Sequence, residues 1–145
     1  MMKVAGMPFD PIVAAAAALA AIVLQPGHAD PQGQWRNPQG SVIVSIAPCG
    51  EALCGVVNWA SDSAKADARR GGTDQLVGTE VLSQFTPHAS GRWRGRLFVP
   101  DLNKRPKAEM RLVGSDQLKV TVCGAAGLVC KSQLWVRADQ PQLEE

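Results

Sequence analysis

The stretch "SVIVSIAPCGEALCGVVNW", residues 41–59, decides the fold class of the chain. Its first half places apolar residues at every second position: Val42, Val44 and Ile46. Its second half places Leu53, Val57 and Trp59 on one face, opposite Cys54, Val56 and Asn58. Strict alternation is the pattern of a β-strand with one buried face. Two such runs around a short turn predict an antiparallel hairpin.

The same alternation recurs along the chain beyond Asp30. Further strands are predicted at Trp35, Glu80 to Phe85, Arg92 to Phe98, Lys107 to Leu112, Leu118 to Cys123 and Ser132 to Arg137. About eight strands joined by short turns favour a small all-β, antiparallel, up-and-down barrel, because closure removes exposed edges. The polar stretch from Ala60 to Gln75 is the exception, and we expect a surface loop there with a helical turn around Ala64 to Arg69.

The N-terminal region is typical of a signal peptide. An uninterrupted apolar run extends from Ile12 to Leu24, which is shorter than the roughly 20 residues that cross a bilayer. Gly27 to Ala29 then forms a small-x-small cleavage pattern. We therefore expect residues 1–29 to be removed and residues 30–145 to form a single periplasmic or secreted domain, with Met1 and Met7 both open as the start.

The four cysteines all follow Asp30, and an even number in an exported chain favours disulfides. Two hairpin bonds are the preferred connectivity, Cys49 to Cys54 and Cys123 to Cys130. A zinc site would need all four thiols, because His88 is the one histidine after residue 30. A redox centre would favour a two-residue gap rather than four. We expect neither a metal nor a cofactor.

No pattern in the sequence indicates an enzyme. His88 lies in a turn, the chain has no tyrosine, and no G-x-S-x-G motif is present. Asp62, Asp67 and Asp74 lie in the polar stretch, where carboxylates usually serve solubility. The net charge of +2 is too small to imply a nucleic-acid partner.

A basic strand face is the one charged feature that points to a partner. Arg92, Arg94 and Arg96 alternate with Trp93 and Leu97, so the three arginines share one face. With two later cations they form a candidate anion-binding set: Arg92, Arg94, Arg96, Lys107 and Arg111. The alternative is a solvated outer face on which Asp101 and Glu109 pair with these cations.

The tryptophans are predicted to lie in the core, since an indole buries a large apolar area when its N–H finds a partner. They are Trp35, Trp59, Trp93 and Trp135. The alternative is that these tryptophans line a binding site and stack on a ligand.

Five segments, taken in order, resemble the exported bacterial family called domain of unknown function 2147. They are "GQWRN" (33–37), "VSIAPCGEALCGVVNW" (44–59), "LVGTEVL" (76–82), "RWRG" (92–95) and "LKVTVCGAAGLVCKSQLWVRA" (118–138). The resemblance covers almost the whole chain after residue 30. It implies a lipocalin-like barrel in the cell envelope and no established activity.

The lipocalin resemblance also implies how one end of the barrel closes. Lipocalins open with G-x-W and pack a basic residue of the last strand on that tryptophan; Gly33, Trp35 and Arg137 fit, with Trp135 on the same face as Arg137. We expect a non-enzymatic envelope protein that binds a small apolar or amphiphilic molecule. The alternative is a protein, lipid-headgroup or glycan interaction module that uses the basic face. No transmembrane segment is expected after residue 29.

Overall fold

A computed structural model describes residues 30–124 and 129–138, and the predicted signal peptide lies outside them. The described residues form eight strands and one helix: β1 (Gly33–Arg36), β2 (Val42–Cys49), β3 (Ala52–Ala60), α1 (Asp62–Arg70), β4 (Glu80–Pro87), β5 (Arg92–Leu97), β6 (Lys107–Val113), β7 (Gln117–Cys123) and β8 (Cys130–Arg137). Within these ranges, no helix has the length and apolar character that a membrane crossing requires.

The strands close into a barrel in the order of the sequence. Each strand pairs antiparallel with the next, and β1 pairs with β8 through Trp35 and Arg137. The predicted closed, antiparallel, up-and-down barrel is therefore confirmed. The turns after β2, β4 and β6 lie at one end, which we call the closed end. Strands β1, β3, β5 and β7 end at the other, which we call the open end.

The helical turn predicted around Ala64 to Arg69 is part of a nine-residue helix, Asp62–Arg70, so the polar stretch after β3 is more helical than expected. Ser61 is the N-cap, and its hydroxyl accepts a hydrogen bond from the Ala64 N–H at 3.1 Å. Arg69 and Arg70 lie in the last turn, where cations favour the helix dipole. Only Ala68 is buried, so α1 lacks the apolar stripe by which amphipathic helices are recognised.

Trp59 does not belong to the core, which corrects a second prediction. Ile43 pairs with Trp59, whereas Val44 pairs with Val57, so the register of β2 and β3 shifts by one residue at Asn58. A bulge of this kind moves the following side chains to the opposite face. Trp59 consequently points outward and is 47% exposed, while Ala60 takes the inward position and is buried.

Both hairpin disulfides are formed, Cys49 with Cys54 and Cys123 with Cys130. The first hairpin turn uses only two of the four residues between Cys49 and Cys54, because Cys49 already pairs with Ala52. The turn itself is Gly50 and Glu51, and Gly50 has φ 72°, a conformation that favours glycine. Each bond joins neighbouring strands, one near each end of the barrel.

Candidate ligand-binding site

The closed end of the barrel is sealed by Trp35. Its indole is fully buried, and its N–H donates a hydrogen bond to the Pro31 carbonyl at 2.8 Å. The Arg137 guanidinium lies 4.3 Å from the centre of the Trp35 ring and donates to the Gln32 carbonyl at 2.8 Å. Gly33 begins β1 with φ 124°, which an L side chain rarely adopts. These contacts block that end with packed side chains.

Large side chains fill the half of the barrel next to the closed end. Leu82, Phe85, Met110 and Leu118 are almost completely buried there. Gly95 of β5 leaves the space that Phe85 occupies, since a Cβ on Gly95 would lie 2.7 Å from the Phe85 ring. Trp93, on the inward face of β5, is half-buried against the same core. This half has the close packing of an ordinary protein interior.

The half next to the open end contains a cavity of about 940 Å³. Its walls are mainly valine, with a few larger apolar residues: Val42, Val44, Val57, Val81, Val120, Val122, Leu76, Leu97, Phe98 and Trp135. The volume lies at the upper end of the range typical of sites for drug-sized molecules, about 300–1,000 Å³. Nothing in the sequence distinguishes this chamber from a packed core. Its valines alternate along strands just as core valines do.

Trp135 forms part of the cavity wall. Its ring is buried, and its indole N–H donates a hydrogen bond to the side-chain oxygen of Gln133 at 2.9 Å. Gln133 also lines the cavity, two residues away on the same face of β8. Of the four tryptophans, Trp35 seals the closed end and Trp135 faces the cavity.

The helix α1 covers part of the mouth at the open end. Ala64 and Ala68 line the cavity from above. Gly71, which ends the helix, packs directly on the backbone of Asp101 in the loop between β5 and β6. The Thr73 hydroxyl donates a hydrogen bond to the Pro100 carbonyl at 3.3 Å. The helix and this loop thus hold each other across one side of the mouth.

Most polar residues of the lining gather at the mouth rather than in the chamber. At the mouth lie Asn37, Gln39, Ser41, Ser63, Asp67, Asp101 and Lys131, whereas Gln133 lies deeper, opposite Val120 on β7. Asp67 forms an ion pair with Arg70. Asp101 and Lys131 form no ion pair with any residue in the described ranges. The site therefore has a mainly apolar interior and a polar entrance.

The predicted basic residues do share one outer face. Strand pairing places Arg92 opposite Arg111 and Arg96 opposite Lys107. It also places Arg111 opposite Lys119 on β7, a cation that the sequence analysis missed. The position of Lys119 could have been predicted from the hairpin turn at residues 114–116, because that turn fixes the register of β6 and β7. We call the outward side of β5, β6 and β7 the basic wall; its cations are Arg92, Arg94, Arg96, Lys107, Arg111 and Lys119.

Glu109 is the carboxylate at the centre of the basic wall. It accepts from Arg92 at 3.2 Å and from Arg94 at 3.3 Å. Arg96 instead donates to the Arg105 carbonyl at 3.0 Å. Lys107, Arg111 and Lys119 have no carboxylate within ion-pair distance among the described residues. Asp101, the other expected partner, lies at the cavity mouth instead.

The remaining candidate residues do not assemble into a second site. His88 is exposed in the turn after β4, at the closed end. Within the described ranges, the one cluster with metal-ligand spacing contains Cys49, Cys54 and Glu80. Both of its sulfurs are already joined in a disulfide. Thiolates are the form of cysteine that binds metal, so this cluster supports no metal site.

A closed eight-stranded barrel, sealed at one end by a tryptophan under an arginine and open to a cavity at the other, defines a lipocalin-like protein. Its fold is similar to the solved structure of protein HP1028 from the human pathogen Helicobacter pylori, described as belonging to the lipocalin family. The TM-score is 0.60 at 13% identity, over 77% of this chain and 84% of that one. At that identity the similarity concerns the fold alone.

The chain belongs to the bacterial family described as "Uncharacterized protein conserved in bacteria (DUF2147)", whose model matches residues 33–137. This match confirms the family resemblance read from the five sequence segments. No curated protein matches the sequence.

Proposed function

We propose that this protein binds a small apolar or amphiphilic molecule in the cavity of its barrel and catalyses no reaction. The observation that carries the proposal is the chamber of about 940 Å³ behind valine walls, in a barrel whose other half is fully packed. An eight-stranded barrel has room inside for side chains or for one small ligand. In this chain, side chains fill the half next to the closed end, and the half next to the open end has room for a ligand.

The distribution of polar groups supports an amphiphile that enters with its apolar end first. The Val57 and Val120 side chains lie inside, whereas Asn37, Asp101 and Lys131 lie at the entrance. An apolar group that leaves water for such walls gains roughly 25 cal/mol per Å² of buried area. A polar head group keeps its hydration if it stays at the mouth.

The chemistry of the lining supports binding rather than catalysis. The charged residues that line the cavity are Asp67, Asp101 and Lys131, all at the mouth, and its described lining contains no histidine or cysteine. His88 lies at the opposite end of the barrel. General acid–base or nucleophilic catalysis needs a positioned reactive group beside the bound substrate, and this lining offers none in the chamber.

The two disulfides and the predicted signal peptide support a site of action outside the cytoplasm. Structural disulfides persist in the periplasm and in secreted proteins, where thiols are oxidised. We therefore propose that the ligand is met in the cell envelope or outside the cell.

Two measurements test ligand binding. Native mass spectrometry of the protein purified from the periplasm or the medium should show a second species, heavier by the mass of one small molecule. After delipidation, titration with the neutral fluorescent probe N-phenyl-1-naphthylamine should give a saturable rise in fluorescence at one probe per chain. A bare mass together with no saturable probe binding would contradict the proposal.

The basic wall supports a second candidate, an interaction with an anionic partner. Arg92, Arg111 and Lys119 face one another across three neighbouring strands, and like charges in that arrangement destabilise a sheet. Binding of a polyanion to this row of cations would neutralise their charge and relieve the repulsion that destabilises the sheet. Arg92 is shared with Glu109, so Arg111 and Lys119 are the cations most available to a partner.

Retention on an anionic polysaccharide column tests the second candidate. The Arg111→Gln/Lys119→Gln variant should elute at clearly lower salt than the wild type. The Arg69→Gln/Arg70→Gln variant, which removes the same charge from α1, should elute close to the wild type if the basic wall makes the contact. Equal shifts for both pairs would show that net charge alone governs retention.

A further inference from the structure

We propose that the open end of the barrel docks on the surface of an anionic membrane, through a rim made by the loop after β5, the strand ends beside it and residues 129–131. The rim consists of Arg96, Leu102, Lys104, Arg105, Lys107, Val129 and Lys131. This proposal rests on the proposed function, because it states from where the cavity receives its amphiphile.

The first observation is a pair of exposed apolar side chains at the tips of the rim. Leu102 is 61% exposed and Val129 is 63% exposed, more than any other large apolar residue in the described ranges. Leu102 lies in the loop after β5, Val129 lies just before β8, and both line the mouth of the cavity. Two apolar side chains exposed beside the entrance of a ligand site would both be stabilised by contact with an apolar phase.

The second observation is the charge around these tips. Lys104 and Arg105 follow Leu102 closely, and Lys131 follows Val129. Arg96 and Lys107 face each other where β5 ends and β6 begins. Across residues 96–107 and 129–131 there are five cations and a single carboxylate, Asp101. Cations beside apolar tips match a bilayer that presents phosphates above acyl chains.

The third observation is that the loop holding Leu102 is braced. The Val99 N–H donates to the Lys104 carbonyl at 2.8 Å, and Val99 and Lys104 form an isolated bridge. Arg96 donates to the Arg105 carbonyl at 3.0 Å, and the Arg105 guanidinium lies 4.3 Å from the centre of the Phe98 ring. A loop fixed by these contacts presents Leu102 and its cations without a large ordering cost on docking.

These observations favour a membrane over a soluble polyanion. A polysaccharide or a nucleic acid would pair with the cations, but it would leave Leu102 and Val129 without an apolar partner. A bilayer surface accepts both groups together. Docked in this way, the mouth faces the head-group region of the bilayer, so an amphiphile passes between bilayer and cavity without crossing bulk water.

Flotation with lipid vesicles tests the proposal. Vesicles of phosphatidylglycerol and phosphatidylcholine should bind the wild-type protein, whereas phosphatidylcholine alone should bind it far more weakly. The Lys104→Gln/Arg105→Gln and Leu102→Ser/Val129→Ser variants should each lower the partition coefficient by about tenfold. Circular dichroism spectra and melting curves of all variants establish that each one is folded.

Matched controls separate the rim from the rest of the surface. Arg111→Gln/Lys119→Gln removes the same charge from the basic wall, and Leu134→Ser removes another exposed apolar residue, on β8. Both should leave vesicle binding within about twofold of the wild type. A loss as large with Arg111→Gln/Lys119→Gln as with the rim pair would overturn the proposal in favour of the basic wall.

Two further outcomes would overturn it. Binding to an anionic polysaccharide but not to vesicles would assign the cations to a soluble polymer. A dimer that Leu102→Ser/Val129→Ser converts to a monomer, with no vesicle binding, would assign the apolar tips to a second copy of the chain.

Titration with N-phenyl-1-naphthylamine in the absence of vesicles separates this proposal from the proposed function. If the probe still binds but vesicles do not, only the docking fails.

Discussion

The closed and open halves of this barrel are built from the same strands, yet one is packed solid and the other holds a chamber. Along β6 the inward side chains run Leu112, Met110, Ala108 from the closed half toward the open one. Along β7 they run Leu118, Val120, Val122. In both strands the side chains become smaller toward the open end. The size of the inward side chains along the same strands therefore determines which part of the barrel is a packed core and which part encloses a cavity.

The contacts between elements are also more extensive at the closed end than at the open end. At the closed end, Trp35 and Arg137 join the first and last strands through a ring contact and hydrogen bonds to the chain that precedes β1. At the open end, α1 meets the loop after β5 through Gly71 and one hydrogen bond from Thr73. We expect substitutions at the closed end to change stability most, and substitutions at the open end to change binding most.

The largest expected effect is that of Trp35→Ala. Loss of a fully buried indole should lower the free energy of unfolding by about 3–5 kcal/mol, because it leaves a cavity and removes the surface under Arg137. Urea unfolding followed by circular dichroism measures the loss. Trp59→Ala is the control, since that indole is about half exposed, and it should cost no more than about 1 kcal/mol. Equal losses for the two variants would mean that the closed end is not the structural half.

Arg137→Ala should have the next largest effect, a loss of about 1–2 kcal/mol in unfolding free energy, since it removes the contact with Trp35 and the bonds to backbone carbonyls. Arg36→Ala on the outer face of β1 serves as the control and should melt close to the wild type. Binding of N-phenyl-1-naphthylamine should remain unchanged in Arg137→Ala. A tenfold weaker probe affinity would show that the closed end contributes to the site.

Gly71→Ala should act mainly on binding. The backbone conformation of Gly71 suits alanine, with φ −88°, but the added Cβ would overlap the backbone of Asp101. The end of α1 must then move away from the loop, at a cost of about 1 kcal/mol in stability. Stopped-flow measurements should show faster dissociation of the naphthylamine probe. An unchanged dissociation rate would mean that α1 does not restrict the mouth.

The smallest expected effect is that of Glu109→Gln on the basic wall. Its ion pairs with Arg92 and Arg94 are partly exposed, so their loss should cost less than about 1 kcal/mol. The remaining cations then repel one another without compensation, and salt screens that repulsion. The melting temperature of this variant should therefore rise more steeply with added salt than that of the wild type. Parallel salt dependences would show that Glu109 does not offset the charge of the wall.

The fold of this chain could be predicted from its sequence because its strands alternate cleanly. The alternation of Val42, Val44 and Ile46 specifies which side chains face inward, and an up-and-down strand order with short turns favours a closed barrel. The helix α1 could not be predicted in the same way, since it buries only Ala68. Trp59 was assigned to the core because the bulge at Asn58 leaves no mark on the alternating pattern.

The position and the size of the chamber could not be predicted. Inward-facing valines such as Val44 and Val122 have the same pattern whether they pack on one another or line an empty space. The difference depends on the diameter of the closed barrel and on the volumes of side chains from several strands, which are not local properties of any segment. Most cations of the basic wall could be grouped from the sequence, since Arg92, Arg94 and Arg96 lie on one strand.

The claim that the open half is the ligand site can be tested most directly by filling it. Val122 lines the chamber near its mouth, whereas Val56 points outward from β3 and is exposed. The Val122→Trp variant should bind N-phenyl-1-naphthylamine at least about tenfold more weakly than the wild type, because the indole occupies space that the probe needs. The Val56→Trp variant should bind the probe as the wild type does. Unchanged affinity in a folded Val122→Trp protein, or an equal loss in both variants, would contradict the account.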